Sequence, residues 1–401
     1  MSVDSRKITK GQRAISVILW LQLFDLGSTF IHIPQSIEAF GLIVTTGIFL
    51  LIVPKKLNYH FLSYASVFLV STISLEFISS VMSQTPVATQ RYAIAFIVFG
   101  VSLVMGTQSF EEMIDGFRIA ASVILGISFI LNLTGQEVFD LPSSFSWNLL
   151  RIRGSGMLAH PNALGLLATL VLLTTTGLFH TSLRKSFLRM VQLFSIVTLV
   201  TTEYRGGMLS CAAIIGADWI LLGFRQKKYL RVLILILCGI GVGLFSGILS
   251  TSRSSNVDLT TGRTGIWNQC LTLIQNQPFL GNGPLTMERF YGGLTSSTIS
   301  AYHCHNQFLD HWVNFGKLGL LEMLIFFILL CFAAFKSRNS LAIKLSFGLV
   351  IISLFESPFR YWSPEDLQWQ NVFIVAAFLS IAKPLKRSAS KVANYLVKTS
   401  Y

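Results

Sequence analysis

The apolar residues of this chain fall into about a dozen blocks of roughly 16–22 residues. That is the length a helix needs to cross a hydrocarbon layer about 30 Å thick. In lipid, backbone N–H and C=O groups must be satisfied within the segment, so each block is committed to helix. The blocks run over roughly 14–32, 38–54, 61–82, 91–108, 117–134, 158–179, 187–203, 207–224, 229–250, 315–335, 341–356 and 367–383. Glu203-Tyr204-Arg205-Gly206-Gly207 interrupts the seventh and eighth. Of the 401 residues, 52% are hydrophobic and 12% charged, against about 25% charged in soluble domains. The mean hydropathy is +0.63. These values exclude an ordinary soluble, disordered or collagenous chain. The expected fold class is an all-α polytopic membrane protein, with about 12 transmembrane helices and residues 1–401 as one integral membrane domain. The first block is too long for a cleaved signal peptide and lacks an A-x-A site, so it reads as a membrane helix. No internal repeat supports a repeat-built transporter.

With the N-terminus in the cytoplasm and the blocks alternating, 22 of the 31 basic residues fall on the inward side. This obeys the positive-inside rule and absorbs most of the net charge of +13, leaving little to suggest nucleic acid. Both termini are then cytoplasmic. The nine outward exceptions are eight Arg and Lys317. Arg keeps its charge and offers a planar fork suited to phosphate oxygens. A bland reading, snorkelling at a helix end, suits Arg91, Arg253, Arg289 and Arg360. It suits Arg151, Arg153, Arg205 and Arg263 less, because they stand in motifs.

Two outward connections are long, 135–157 and 251–314. The second has the composition of a soluble segment and is expected to be ordered by Trp267, Phe279, Phe290, Tyr291, Tyr302 and Trp312. Within it, Thr264 to Gln277 reads as an amphipathic helix, with Ile266, Trp267, Cys270, Leu271 and Ile274 on one face and Pro278 at its end. Gly281-Asn282-Gly283-Pro284 reads as a turn. The five cysteines show no CxxC spacing. Cys270 and Cys304 share this outward region and are candidates for a disulfide.

Four stretches carry candidate chemistry. Arg151-Ile152-Arg153-Gly154-Ser155-Gly156 precedes His160-Pro161-Asn162-Ala163-Leu164-Gly165, a helix start whose open N–H groups favour an anion. Thr202-Glu203-Tyr204-Arg205-Gly206-Gly207 places an Arg between apolar spans, facing a polar cavity or paired with Glu203 or Asp218. Thr261-Gly262-Arg263-Thr264-Gly265-Ile266-Trp267 opens the loop helix with an Arg. Tyr302-His303-Cys304-His305-Asn306-Gln307-Phe308-Leu309-Asp310-His311, followed by Gly316-Lys317-Leu318-Gly319-Leu320, places three His within nine residues. The His303, Cys304, His305 and Asp310 spacing matches no zinc pattern, so no metal is expected. His305 is the candidate base, with His303 and His311 reading first as packed histidines. Asp25, Glu76, Asp218 and Glu322 are scattered and read as structural or cavity-lining.

The order R-x-R-G-x-G…H-P-N-x-L-G, T-x-x-R-G-G, G-R-x-x-I-W, P-F-L-G-N-G and H-N-Q-F-L-D…G-K-L-G-L-L, over about residues 150–335, resembles the O-antigen ligase and polymerase superfamily. Where that family usually has Ser-Arg, this chain has Tyr204-Arg205, which predicts a different pocket around Arg205. The resemblance implies metal-independent, inverting glycan transfer at the outer face of the bacterial inner membrane, with no cofactor. The donor is an undecaprenyl-pyrophosphate-linked glycan, and lipid A core is one acceptor. Without a metal, Arg side chains must stabilise the departing pyrophosphate. His305, Arg205 and Arg263 are therefore the catalytic candidates, with Arg151 and Arg153 completing an anion clamp. Trp267, Tyr291 and Tyr302 are expected to stack on sugars. Asn162, His303 and Asn306, which lie in the matched motifs, are expected to contact substrate. Polymerisation of repeat units is the first reading and ligation to lipid A core or a protein the second. A lipid-linked sugar flippase, which needs no outward His and Arg loop, is the third.

Overall fold

A computed structural model describes residues 10–25, 110–134, 160–176, 183–225, 263–291, 303–358 and 369–381, with short pieces between 44 and 108 and at 156–158. These residues form α1 (Lys10–Asp25), α2 (Phe110–Thr134), α3 (Pro161–Thr175), α4 (Lys185–Thr202), α5 (Arg205–Arg225), α6 (Arg263–Asn276), α7 (Thr286–Tyr291), α8 (Gln307–Ser337), α9 (Ser340–Ser353) and α10 (Trp369–Ile381). Among the described residues there is no β-strand. Phe110–Leu133 and Gln307–Ser337 are long and apolar enough to cross a membrane. Pro161–Thr175, Ser340–Ser353 and Trp369–Ile381 are shorter apolar helices. The expected block 229–250 lies outside the described residues, as do most of 38–54, 61–82 and 91–108.

Aromatic packing joins α1, α2 and α10. The Phe117 ring lies 4.4 Å from Phe373 and 5.2 Å from Trp20, and Phe24 lies 5.3 Å from Trp369. Helix α3 packs on α4 and α5, and α9 packs on α5 and α8. Small residues set these close approaches, as is usual where lipid removes the hydrophobic drive between helices. The Ser210 hydroxyl of α5 donates to the Gly348 carbonyl of α9 at 3.1 Å.

The interruption between α4 and α5 is shorter than the sequence suggests. Glu203 takes a left-handed φ of 51°, Tyr204 follows, and α5 begins at Arg205. Tyr204 is an interior residue. It turns inward, is 1% exposed, and fills a slot where a Cβ on Gly165 or Gly207 would overlap it. This accounts for the glycines of H-P-N-x-L-G and T-x-x-R-G-G: they leave room for the ring. Asp218 is paired with Lys344 of α9 rather than with Arg205.

Helix α8 is two helices end to end. Gly316, at φ 66° and ψ −158°, breaks it, and the P-F-L-G-N-G turn docks at the break. Asn282 N donates to Val313 O at 2.9 Å, Gly283 N to Asn314 O at 3.0 Å, and Lys317 N to Pro278 O at 2.9 Å. The backbone groups released by the kink are thus satisfied by the turn. Lys317–Ser337 remains as the apolar arm, of about 31 Å at 1.5 Å per residue, and Gln307–Phe315 is a separate arm against α6.

The expected loop helix is present, one residue earlier at each end. Its buried face is Ile266, Cys270, Leu273 and Ile274. Leu271 is exposed, contrary to the expectation, and Leu273 takes its place. Cys270 and Cys304 form a disulfide.

Gly165→Ala is expected to lower stability by about 2 kcal/mol through overpacking on Tyr204. Gly126→Ala, with open space around it, should be neutral or stabilising by up to about 1 kcal/mol through helix propensity. Thermal unfolding of the two purified variants in detergent checks the contrast.

Candidate active site around Glu356

The site is assembled from four separate stretches. Asn306 caps α8, accepting from the N–H groups of Phe308 and Leu309 at 3.0 and 3.1 Å. This fixes the preceding His303-Cys304-His305 segment at the helix start. The Asn306 side-chain amide also donates to the Leu354 carbonyl at 3.0 Å, pinning the stretch after α9. That stretch delivers Glu356, which is 6% exposed.

The Glu356 carboxylate is shared among all four stretches. Its Oε1 lies 2.8 Å from His303 Nε2 and 2.8 Å from His305 Nδ1. Its Oε2 accepts from the Asn162 side-chain amide of α3 at 3.0 Å and faces the Arg263 guanidinium of α6 at 3.5 Å. Burial alone would push the Glu356 carboxyl up, but the His305 and His303 rings outweigh it and hold the carboxyl well below its usual range. An ionised carboxylate only accepts, so each ring places an N–H at the atom facing Glu356. In the neutral His305 ring this geometry leaves the lone pair on Nε2, the form that a general base uses.

His305 sits at φ 48°, in the left-handed region that costs a non-glycine residue about 1–2 kcal/mol. Such a conformation persists where the surroundings over-determine it. Here the cap at Asn306 and the bond to Glu356 do so. Trp267 donates its indole N–H to the Cys304 carbonyl at 3.0 Å, which ties α6 to the same segment.

Of the residues expected from the sequence, Asn162, Arg263, Trp267, His303, His305 and Asn306 are brought together. His303 lies on the same carboxylate oxygen as His305. Arg205 is exposed at the start of α5, beside the site through Gly206, whose Cβ position would lie 3.1 Å from Phe355. Among the described residues it makes no ion pair. His311 is buried within α8, its Nδ1 2.9 Å from the Gln307 side-chain amide. Arg151, Arg153, Tyr302 and the Tyr291 side chain lie outside the described residues. Glu356 was not singled out by sequence. Its signal was a lone carboxylate at the outer end of the 341–356 block, on the same side as the His and Arg motifs.

Tyr204 also borders this centre. Burial pushes its phenol well up, with Glu356 adding to the effect and Arg263 opposing it. His303, His305 and Glu356 each offer a ligand atom within 4.8 Å of the others, a set that has the donors for a metal. Against that, Arg263 already supplies the carboxylate with a positive charge, and Asn162 occupies its second oxygen.

The depressed Glu356 carboxyl predicts a pH signature. A group whose folded pKa is lowered contributes stability above its unfolded value, and loses it as pH falls through the folded value. Glu356→Gln should therefore cost about 2 kcal/mol at pH 7. The gap from wild type should stay constant down to about pH 5 and narrow below that. Thermal unfolding of both proteins between pH 3 and 8 checks this.

Comparison with known proteins agrees with the motifs. Residues 190–324 match the family model described as O-antigen ligase. That segment holds Arg205, Arg263, His303 and His305, and stops before Glu356. An uncharacterised protein of Haemophilus influenzae is 22% identical over 383 aligned residues, covering 82% of this chain and 94% of that protein. Over residues 190–324, then, the chain is similar to the O-antigen ligase family.

Proposed function

We propose that this chain is a multi-pass glycosyltransferase of the bacterial inner membrane. It joins undecaprenyl-pyrophosphate-linked repeat units at the outward face. The observation that carries this reading is the His305–Glu356 pair with Arg263 beside it, at the edge of the family domain.

An acceptor hydroxyl attacks the anomeric carbon from the side opposite the leaving group, so configuration inverts. His305 Nε2 takes the hydroxyl proton. Glu356, already ionised, stabilises the imidazolium through Nδ1–H as it forms, without taking the proton itself. The lipid pyrophosphate leaves with its negative charge facing Arg263 and Arg205. Arg263 spends one N–H edge on Glu356 and keeps others for phosphate. Arg205 stands at the N-terminus of α5, where the helix dipole also favours an anion. Trp267, Tyr291 and Tyr302 are the sugar-stacking candidates, and Arg151 and Arg153 extend the clamp. Charge placement at fixed sites, rather than a metal, supplies the leaving-group stabilisation.

A disulfide in the 251–314 segment supports an outward orientation, since disulfides persist in oxidising compartments. The description of the matched model favours a second reading, in which a finished glycan is ligated to lipid A core or a protein. Donor and site residues are the same in both.

Purified protein in lipid, given only the lipid-linked repeat unit, should yield a ladder of longer glycans. Arg205→Ala and His305→Ala should each reduce it at least about a hundredfold while still inserting, and a chelator should leave it unchanged. Transfer only after lipid A core is added would favour ligation. Normal product from both variants would overturn the assignment. Loss of activity with chelator, restored by a divalent ion, would turn His303, His305 and Glu356 into metal ligands. For orientation, a periplasm-dependent reporter should be active when fused in residues 251–262 and silent at residues 226–228.

A further inference from the structure

We propose that the Cys270–Cys304 disulfide positions His305 for transfer, so that turnover is full only when these two cysteines are oxidised. This rests on the reading of His305 as the base.

The bond is placed where it acts on both halves of the site. Cys304 lies between His303 and His305, and Cys270 lies on the buried face of α6, the helix that Arg263 begins. The two α-carbons are 6.3 Å apart across 34 residues of chain. The disulfide therefore joins the element carrying the cation to the element carrying the base. Both cysteines are fully buried, in a small apolar cluster with Ile266, Leu273, Ile274, Met287 and Val313. This cluster is separate from the main core and packs α6 on the first arm of α8 through Val313, and the disulfide is the covalent tie between α6 and the residue before His305. Polar ties reach Cys304 as well. Trp267 donates to the Cys304 carbonyl, and the Cys304 N–H donates to Asp310 Oδ1 at 3.2 Å. The residue that follows the bond is His305, in its left-handed conformation. A backbone held in a costly region needs constraint on both sides. Asn306 supplies it after His305, and the disulfide supplies it before.

Formation removes two electrons and two protons from the paired thiols, which pass to a disulfide-bearing oxidant by thiol–disulfide exchange. Dithiothreitol reverses this: the S–S bond breaks, two thiols form, and the reagent becomes its cyclic disulfide. Cys211 and Cys331 are unpaired with any other cysteine and distant in sequence, so neither is needed for the exchange.

The test compares the wild-type protein in lipid before reduction, after reduction confirmed by thiol alkylation and mass, and after reoxidation. Cys270→Ala is carried alongside. Two readouts are taken: steady-state transfer from the lipid-linked donor, and amide hydrogen exchange. Reduction and Cys270→Ala are each expected to lower kcat by about tenfold or more, since an error of order 1 Å in a reacting group is costly. KM for the donor should stay within about twofold, and reoxidation should restore the rate. Exchange over residues 303–309 should quicken about tenfold, with residues 320–335 unchanged. A merely structural bond would move both regions together, or neither. Unchanged kcat, or unchanged exchange at 303–309 in reduced protein, would overturn the proposal. If the oxidised wild type transfers no glycan, the proposed function fails, and the exchange comparison alone then decides whether the bond positions this segment.

Discussion

A buried carboxylate must have partners, and the partners of Glu356 explain why four distant stretches of this chain meet. Removing an ion from water costs several kcal/mol even after relaxation. Two imidazoles on one oxygen, an amide on the other and a nearby guanidinium offset that cost. The four partners come from three stretches, each at the start of a helix. Glu356 thus sets the relative positions of the first turn of α3, the first turn of α6 and the segment before α8. The same interaction fixes which nitrogen of His305 faces the carboxylate, Nδ1, and leaves Nε2 turned away from it.

The surrounding scaffold keeps that centre from being overrun by the apolar helices. The break at Gly316 divides α8 into an arm of membrane-spanning length and a short arm beside α6. The P-F-L-G-N-G turn satisfies the exposed backbone at the break. Without the break, one straight helix would carry Asn306 and His305 away from the rest of the site. Tyr204 acts at the opposite side. By filling the slot left by Gly165 and Gly207, it brings the starts of α3 and α5 together, and with them Asn162 and Arg205.

Much of this was legible in the sequence, because lipid and charge impose simple rules. Among the described residues the apolar runs are helical, and two of the helices are long and apolar enough to cross a membrane. Arg263 was recognisable at a helix start, and His305 beside an Asn that caps. The placement of Tyr204 was not legible: its bulk implied only that the pocket around Arg205 differs, and the two glycines that accommodate the ring, Gly165 and Gly207, are far apart in sequence. Leu273 takes the place expected of Leu271, because the rotation of a helix about its axis is settled by packing rather than by local pattern.

Glu356 marks the boundary between the two kinds of information. The sequence by itself determined that the chain is rich in apolar helices and that its Arg and His motifs gather in a few short stretches between them. These follow from local length, hydropathy and residue chemistry. Which acid would serve those motifs was decided only by tertiary structure. A carboxylate 51 residues from His305 and 194 from Asn162 carries no local sign of either. Its identity emerges only when burial leaves it no water and packing leaves it those partners.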